Sequence, residues 1–478
     1  MEEYLESQGI HLGDVIIKLK SAQYGLVQSP RLWMETFSKI LTALGMTQCK
    51  SDPCLFVQFD ENERLVLMVV VYCDDCIITG YKTYVAKIKE GIAKTVKISD
   101  LGKLKKHLGV DYEFGSDEEG NFVKCHMSEY LKAIVRDFEK EINKTIKPRK
   151  IPGAAVTPPL KSKEGDEIIM QETYRSYVGR VMFACGKSEP TISNACRELT
   201  SHLNAPNEEH LSALEHLIGY IKHGSHQGIK MRPPKDNTVV AFVDSDYASD
   251  RTDRKSISGY LVTIGGCLVS WQSKKQTGVT LSSTEAEFVS MSMAATEVKF
   301  IVSLLTEINN CPPLMPSILK EDNTGAIFMA KNTAIGQRTK HVDIRYRFVN
   351  DMILANELLV QHIRSSDNPS DIMTKNLPTT LFCKHAEIIS NGMLQTLYEP
   401  SNTEDVRSYY ATVQEMNGND TSVHLMDSTT VVTTTVSPRD DMIYKCCPKA
   451  VGADDSDQGW IIIRPKHSKT YKGRGLCT

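Results

Sequence analysis

Apolar residues along this chain change their spacing in a way that marks out its elements. Leu65-Val66-Leu67-Met68-Val69-Val70-Val71-Tyr72 is a run of β-formers, and Ile77-Ile78-Thr79 resumes it just past Cys73-Asp74-Asp75-Cys76. This pattern predicts two strands joined as a hairpin, with adjacent carboxylates near the tip. Asp favours a bend in its own right, so the pair is also compatible with an ordinary turn. A second β-run, Val239-Val240-Ala241-Phe242-Val243, ends on Asp244. Asp246 lies two residues on and would share a face with Asp244 if the strand continues.

From Ser282 the period becomes helical. Glu287, Met291, Ala294, Val298 and Ile301 share one stripe, whereas Glu285 shares a more polar one with Val289, Ser292 and Thr296. Ser282 and Thr284 each have a Glu three residues later, so either pair can form a capping box. Glu287, at the edge of the buried stripe, is the stronger candidate for chemistry. Asp322 stands between a strand, Ser317-Ile318-Leu319-Lys320-Glu321, and a helix from Thr324. Asp371 lies in Asn368-Pro369-Ser370-Asp371-Ile372. Alone, each of these two acids would be read as a helix cap. Glu321 is a neighbour not selected. Residues 150–168 and Arg232-Pro233-Pro234-Lys235 read as breaks. Near the end, Gly459-Trp460-Ile461-Ile462-Ile463 suggests a short strand beyond a low-complexity run from Ser428.

The chain has 478 residues, 41% of them apolar, enough for two to four domains with sizeable cores. A net charge of −3 excludes a uniformly basic surface, so nucleic acid would be met by local patches such as 97–107 and 144–150. Thirteen scattered cysteines behind an acidic start, Met1-Glu2-Glu3, suggest a reduced intracellular setting, a cytoplasmic particle or the nucleus. The longest apolar run, Leu65 to Cys73, is too short to cross a bilayer, and no membrane role is expected.

Five segments occur in order: Phe242-Val243-Asp244-Ser245-Asp246-Tyr247-Ala248, Arg254-Lys255-Ser256-Ile257-Ser258-Gly259-Tyr260, Val269-Ser270-Trp271-Gln272, Leu281-Ser282-Ser283-Thr284-Glu285-Ala286-Glu287-Phe288, and Arg338-Thr339-Lys340-His341-Val342-Asp343. Together they resemble the ribonuclease H domain of copia-type (Ty1/copia) retrotransposon Pol polyproteins, over roughly residues 236–380. Tyr24-Gly25-Leu26-Val27-Gln28, Ser51-Asp52-Pro53-Cys54, the Tyr72–Asp75 hairpin and Asp100-Leu101-Gly102-Lys103 resemble the same family's reverse transcriptase. Segments from Tyr174 and His210 are similar to its connecting region.

The resemblance implies an α/β and α+β multidomain chain. A partial reverse-transcriptase palm (1–130) and a thumb- or connection-like segment (131–235) would precede a ribonuclease H-like mixed five-stranded sheet with helices (236–385). A largely disordered tail (386–478) would follow. It also implies that Asp244, Glu287, Asp322 and Asp371 hold two Mg²⁺ ions, with Mn²⁺ as a substitute, and cleave the RNA strand of an RNA·DNA hybrid. Several carboxylates must converge because each ion takes about six oxygen ligands. Asp244 would be the bridging ligand, with Asp246 as its alternative, and Asp371 the last and weakest. Lys340, His341 and Arg345 could face phosphates, while Ile344, Phe348 and Met352 recur at helical spacing as core.

Asp74 and Asp75 would be metal ligands of the polymerase hairpin. The family supplies another Asp from an earlier strand, and Asp14, the sole Asp before residue 50, sits in the wrong context for it. No polymerase activity is therefore expected from this chain by itself. A catalytically silent, nucleic-acid-binding remnant of a retroelement is the rival to the nuclease. Polymerisation completed by another chain is a third reading.

Overall fold

The hairpin read from the sequence is formed in the computed structural model, which describes residues 25–153, 159–163, 166–224, 228–234, 236–309, 313–332, 348–397 and 458–465. Asp14, Lys340, His341, Ile344, Arg345 and the run from Ser428 lie outside the described residues. The chain divides into two units: Met1–Asn62 with Val66–Gly102 and Trp460–Thr478, and Glu63–Leu65 with Lys103–Gly459.

In the first unit, helix α1 (Ser29–Ala43) precedes β1 (Thr47–Gln48), β2 (Leu55–Phe59), β3 (Leu65–Tyr72) and β4 (Asp75–Tyr81). Helix α2 (Lys82–Thr95) and β5 (Ile98–Lys103) follow. β3 and β4 pair antiparallel with Tyr72 opposite Asp75, so Cys73 and Asp74 make the turn. Cys73 takes φ +51°, the left-handed conformation such tight turns demand. Phe37, Leu41, Phe56, Val69, Ile78 and Ile92 form the core between helices and sheet. Each such side chain, fully buried, contributes about 1.5–3 kcal/mol.

The second unit begins with β6 (Lys106–His107), β7 (Val110–Asp117) and β8 (Gly120–His126). Helices α3 (Ser128–Glu141), α4 (Gln171–Cys185), α5 (Ser193–Thr200) and α6 (Glu208–His223) come next, then β9 (Ile229–Met231), which pairs with β8. The remaining elements are β10 (Val239–Asp246), β11 (Ile257–Ile264), β12 (Cys267–Lys275), α7 (Ser283–Asn309), β13 (Ser317–Glu321), α8 (Thr324–Lys331), β14 (Leu358–His362) and α9 (Thr379–Ser390). The short strand read at residue 459 is β15 (Gln458–Pro465), placed between β4 and β5.

The expected mixed five-stranded sheet is present, ordered β12-β11-β10-β13-β14. β10 is antiparallel to β11 and parallel to β13, and β13 is parallel to β14. β10 is apolar at every position up to Val243 because both its faces are covered. Val240 and Phe242 pack into a core shared with α3–α6 and α9, whereas Val239, Ala241 and Val243 pack against α7. Composition alone would allow α7 to cross a membrane, but its apolar stripe (Met291, Ala294, Val298) is buried on the sheet.

Candidate metal centre

Parallel pairing of β10 and β13 sends both carboxyl ends the same way, the end at which sheets of this kind bind ligands. Phe242 pairs with Lys320, so Asp244 and Asp322 emerge side by side two residues further on. Helix α7 begins beside them and brings Glu287 from its first turns. One ligand atom from each of Asp244, Glu287 and Asp322 lies within 4.8 Å of the other two.

Local chemistry decides which acids are left for the centre. Glu285 accepts the backbone N–H of Leu281 at 2.7 Å, and its own N–H reaches Ser282 Oγ at 3.1 Å. It is a capping residue, which leaves Glu287 to point inward. Asn323 caps α8 by accepting the Ala326 N–H at 3.0 Å, so Asp322 is spared that role. Asp246 stands outside the group of three; it lines a pocket with Arg197, Asp250 and Lys375.

Asp371 enters from the other face of the sheet on the 3-10 turn Pro369–Met373. Buried Asn368 ties this turn to β10: its amide donates to the Val243 carbonyl at 2.8 Å, and its oxygen accepts the Ser370 hydroxyl at 2.6 Å. Gly259, opposite Asp244 on β11, permits the approach, since a Cβ there would stand 2.5 Å from Met373 Cβ. The Thr374 hydroxyl donates to Asp244 Oδ2. Asp371 does not join the group of three directly. Lys375 Nζ links it, 3.2 Å from Asp371 Oδ1 and 3.4 Å from Asp244 Oδ1.

Glu321, passed over in the sequence, is fully buried in this cluster. Its Oε1 accepts the Asn323 N–H at 2.9 Å, while Oε2 has no hydrogen-bond partner. Strand alternation held the clue, because Glu321 shares a face with Leu319, which packs against α7.

Crowding of buried acids shows in their proton affinities. Burial, then the charges of Glu321, Asp244 and Asp322, pushes Glu287 up to about 11. Burial and the Asp244 charge push Asp371 up to about 8. Asp244 and Glu321 are also raised, again first by burial. Glu287 Oε2 is buried with no hydrogen-bond donor. Such a set is unfavourable as it stands, and a divalent cation would relieve it. The residues fit a metal that takes oxygen ligands.

Asp74 and Asp75 belong to the other unit, both half-buried at the β3–β4 turn. Trp33 Nε1 donates to the neighbouring Cys73 carbonyl at 2.6 Å, which steadies the tip. Among the described residues no third metal-ligating side chain joins them. Of the expected basic patches, Lys144 is paired with Glu215 at 2.6 Å. Phe348 and Met352 pack into the α7-side core, as their spacing implied.

Residues 9–151 match the family described as reverse transcriptase (RNA-dependent DNA polymerase). The retrovirus-related Pol polyprotein from transposon RE1 of Arabidopsis thaliana is 31% identical over 376 residues, 78% of this chain and 25% of that protein. The corresponding polyprotein from transposon TNT 1-94 of Nicotiana tabacum is 30% identical over 381 residues, 77% of this chain and 28% of its own length. The chain thus spans about a quarter of the length of these curated relatives. Among solved structures, LC11-RNase H1, isolated from compost, is 13% identical and covers 29% of this chain and 93% of its own, with a TM-score of 0.23. A foamy viral protease-reverse transcriptase in complex with RNA/DNA hybrid is 12% identical and covers 72% of this chain and 39% of its own, with a TM-score of 0.40. With a reverse-transcriptase match early in the chain and similarity to these polyproteins over more than three quarters of it, the protein belongs to the copia-type retrotransposon Pol family.

Proposed function

We propose that this Pol-derived chain hydrolyses the RNA strand of RNA·DNA hybrids at the centre formed by Asp244, Glu287, Asp322 and Asp371. One observation carries the reading: carboxylates from a strand end, a helix start and a second strand end converge within 4.8 Å. Two Mg²⁺ ions held there, with Mn²⁺ as a substitute, would lower the pKa of a water and stabilise the leaving 3′ oxygen.

The chain's own residues prepare the centre. The segment that carries Asp371 holds Asp244 through both oxygens, its Oδ2 by the Thr374 hydroxyl and its Oδ1 beside Lys375. Glu287 presents an unsatisfied oxygen from beneath. Asp322 is half-buried, the most accessible of the three, and a backbone phosphate would approach beside it. Preference for RNA would come from contacts to 2′-hydroxyls across the shallow minor groove of the hybrid. Asp74 and Asp75, adjacent at the β3–β4 turn, would be metal ligands of the polymerase hairpin.

The test is Mg²⁺-dependent cleavage of a labelled RNA·DNA hybrid, with Asp322→Asn as control. Cleavage that disappears in the variant supports the nuclease. Folded protein that binds the hybrid and leaves it intact would establish the silent remnant instead.

A further inference from the structure

Lys375 occupies an unusual place for a lysine. Its ammonium stands between two carboxylates, Asp244 near the end of β10 and Asp371 on the docked turn, at 3.4 Å and 3.2 Å. Those partners are 2% and 5% exposed, whereas the lysine side chain is 37% exposed. The buried pair therefore holds a cation that reaches it from outside. An ammonium on a flexible four-carbon stem can leave such a position without disturbing the backbone.

We propose that Lys375 is a displaceable counter-ion for the metal position shared by Asp244 and Asp371. Resting on the nuclease reading, this deepens it: one of the two ion positions is regulated by a side chain of the same chain. The ammonium and a divalent ion are cations competing for the same two oxygens, so occupancy by one excludes the other. Without metal, Lys375 neutralises part of the buried negative charge and keeps the Asp371 turn in place. With metal, it withdraws toward the pocket it lines with Asp246, whose carboxylate offers the ammonium a second station. Asp246 thereby gains a role although it stands outside the ligand group. The backbone after Lys375 stays fixed, because Asn376 donates to Glu198 at 3.2 Å and accepts from Asn194 at 3.1 Å.

Two measurements on the full chain test this. Calorimetric titration with MgCl₂ compares the unsubstituted protein with Lys375→Met, which keeps the stem and drops the charge. The weaker binding event is expected to tighten by about tenfold, equivalent to 1.4 kcal/mol, with the stronger event unchanged. Equal affinities in the two proteins, or weaker binding in the variant, would overturn the proposal. The second measurement needs no substitution and stands even if the variant does not fold. Lysine acetylation by an amine-reactive ester, read by mass spectrometry, should rise at Lys375 on adding Mg²⁺ and stay constant at exposed Lys187. Unchanged labelling of Lys375 would also overturn it. If neither chain binds Mg²⁺, the metal reading falls together with this one. If the unsubstituted chain binds metal and cleaves hybrid while Lys375→Met titrates identically, only this inference falls.

Discussion

Replacing Gly259 by Ala adds one carbon where the centre has no room for it. The new Cβ would lie 2.5 Å from Met373 Cβ and 2.7 Å from Thr374 Cγ2, with the Met373 carbonyl carbon at 3.3 Å. Carbon atoms rest at about 3.5–4.0 Å, so the shortfall is about 1 Å. Neither obstacle is the free end of a flexible side chain, and Met373 and Thr374 are both buried, so the whole turn must retreat. Overpacking of this kind costs about 1–3 kcal/mol. The same turn carries Asp371, and its Thr374 orients Asp244. A displacement of about 1 Å at a reacting centre can lower the rate on the order of 100-fold. Gly259→Ala should therefore lose far more cleavage than stability, measured by hybrid cleavage under saturating Mg²⁺ beside urea unfolding. Cleavage within about threefold of the unsubstituted chain would refute the claim that Gly259 exists to admit the Asp371 turn.

The raised acids make the metal-free protein sensitive to pH in a defined direction. Asp371, at about 8 against a model-peptide value of 3.8, and Glu287, at about 11 against 4.5, bind protons more tightly folded than unfolded. The folded state then holds more protons, so stability in EDTA should fall as pH rises from about 4 through about 8; urea midpoints that stay level or climb between pH 5 and 8 would contradict this. Adding Mg²⁺ should flatten the profile, because the bound ions replace the protons. The two glutamates of α7 should separate cleanly. Glu285→Ala removes a cap and costs about 1 kcal/mol with cleavage retained, whereas Glu287→Gln abolishes cleavage without a comparable loss of stability; the reverse pattern would exchange their roles.

Much of the fold was legible in the chain. The run at Leu65–Tyr72 and its resumption at Ile77 read as a hairpin joined by Cys73–Cys76, and the observed pairing shortens that joint to Cys73 and Asp74, with Asp75 and Cys76 already in the second strand. The run at Val239–Val243 read as a strand from its β-forming residues, and the helix from Ser282 announced itself through the stripe of Glu287, Met291, Ala294 and Val298. That stripe also separated Glu287 from Glu285, since it faces the sheet.

Other features depend on distances the sequence does not encode. Glu321 looked like a neighbour to ignore, yet the parallel pairing of β13 with β10 turns it into a fully buried acid beside Asp244 and Glu287. Asp371 is a helix cap by its own spacing and a ligand only by the resemblance; Asn368 and Gly259 dock its turn on the central strand, which spacing does not encode. Lys375 showed no sign of its position between two carboxylates about 130 residues apart in the chain. Periodicity is a local property, and it determined here which elements form and which faces they bury. Meetings between distant acids, and the ammonium that stands between them, follow from strand order and register, which only the assembled sheet decides.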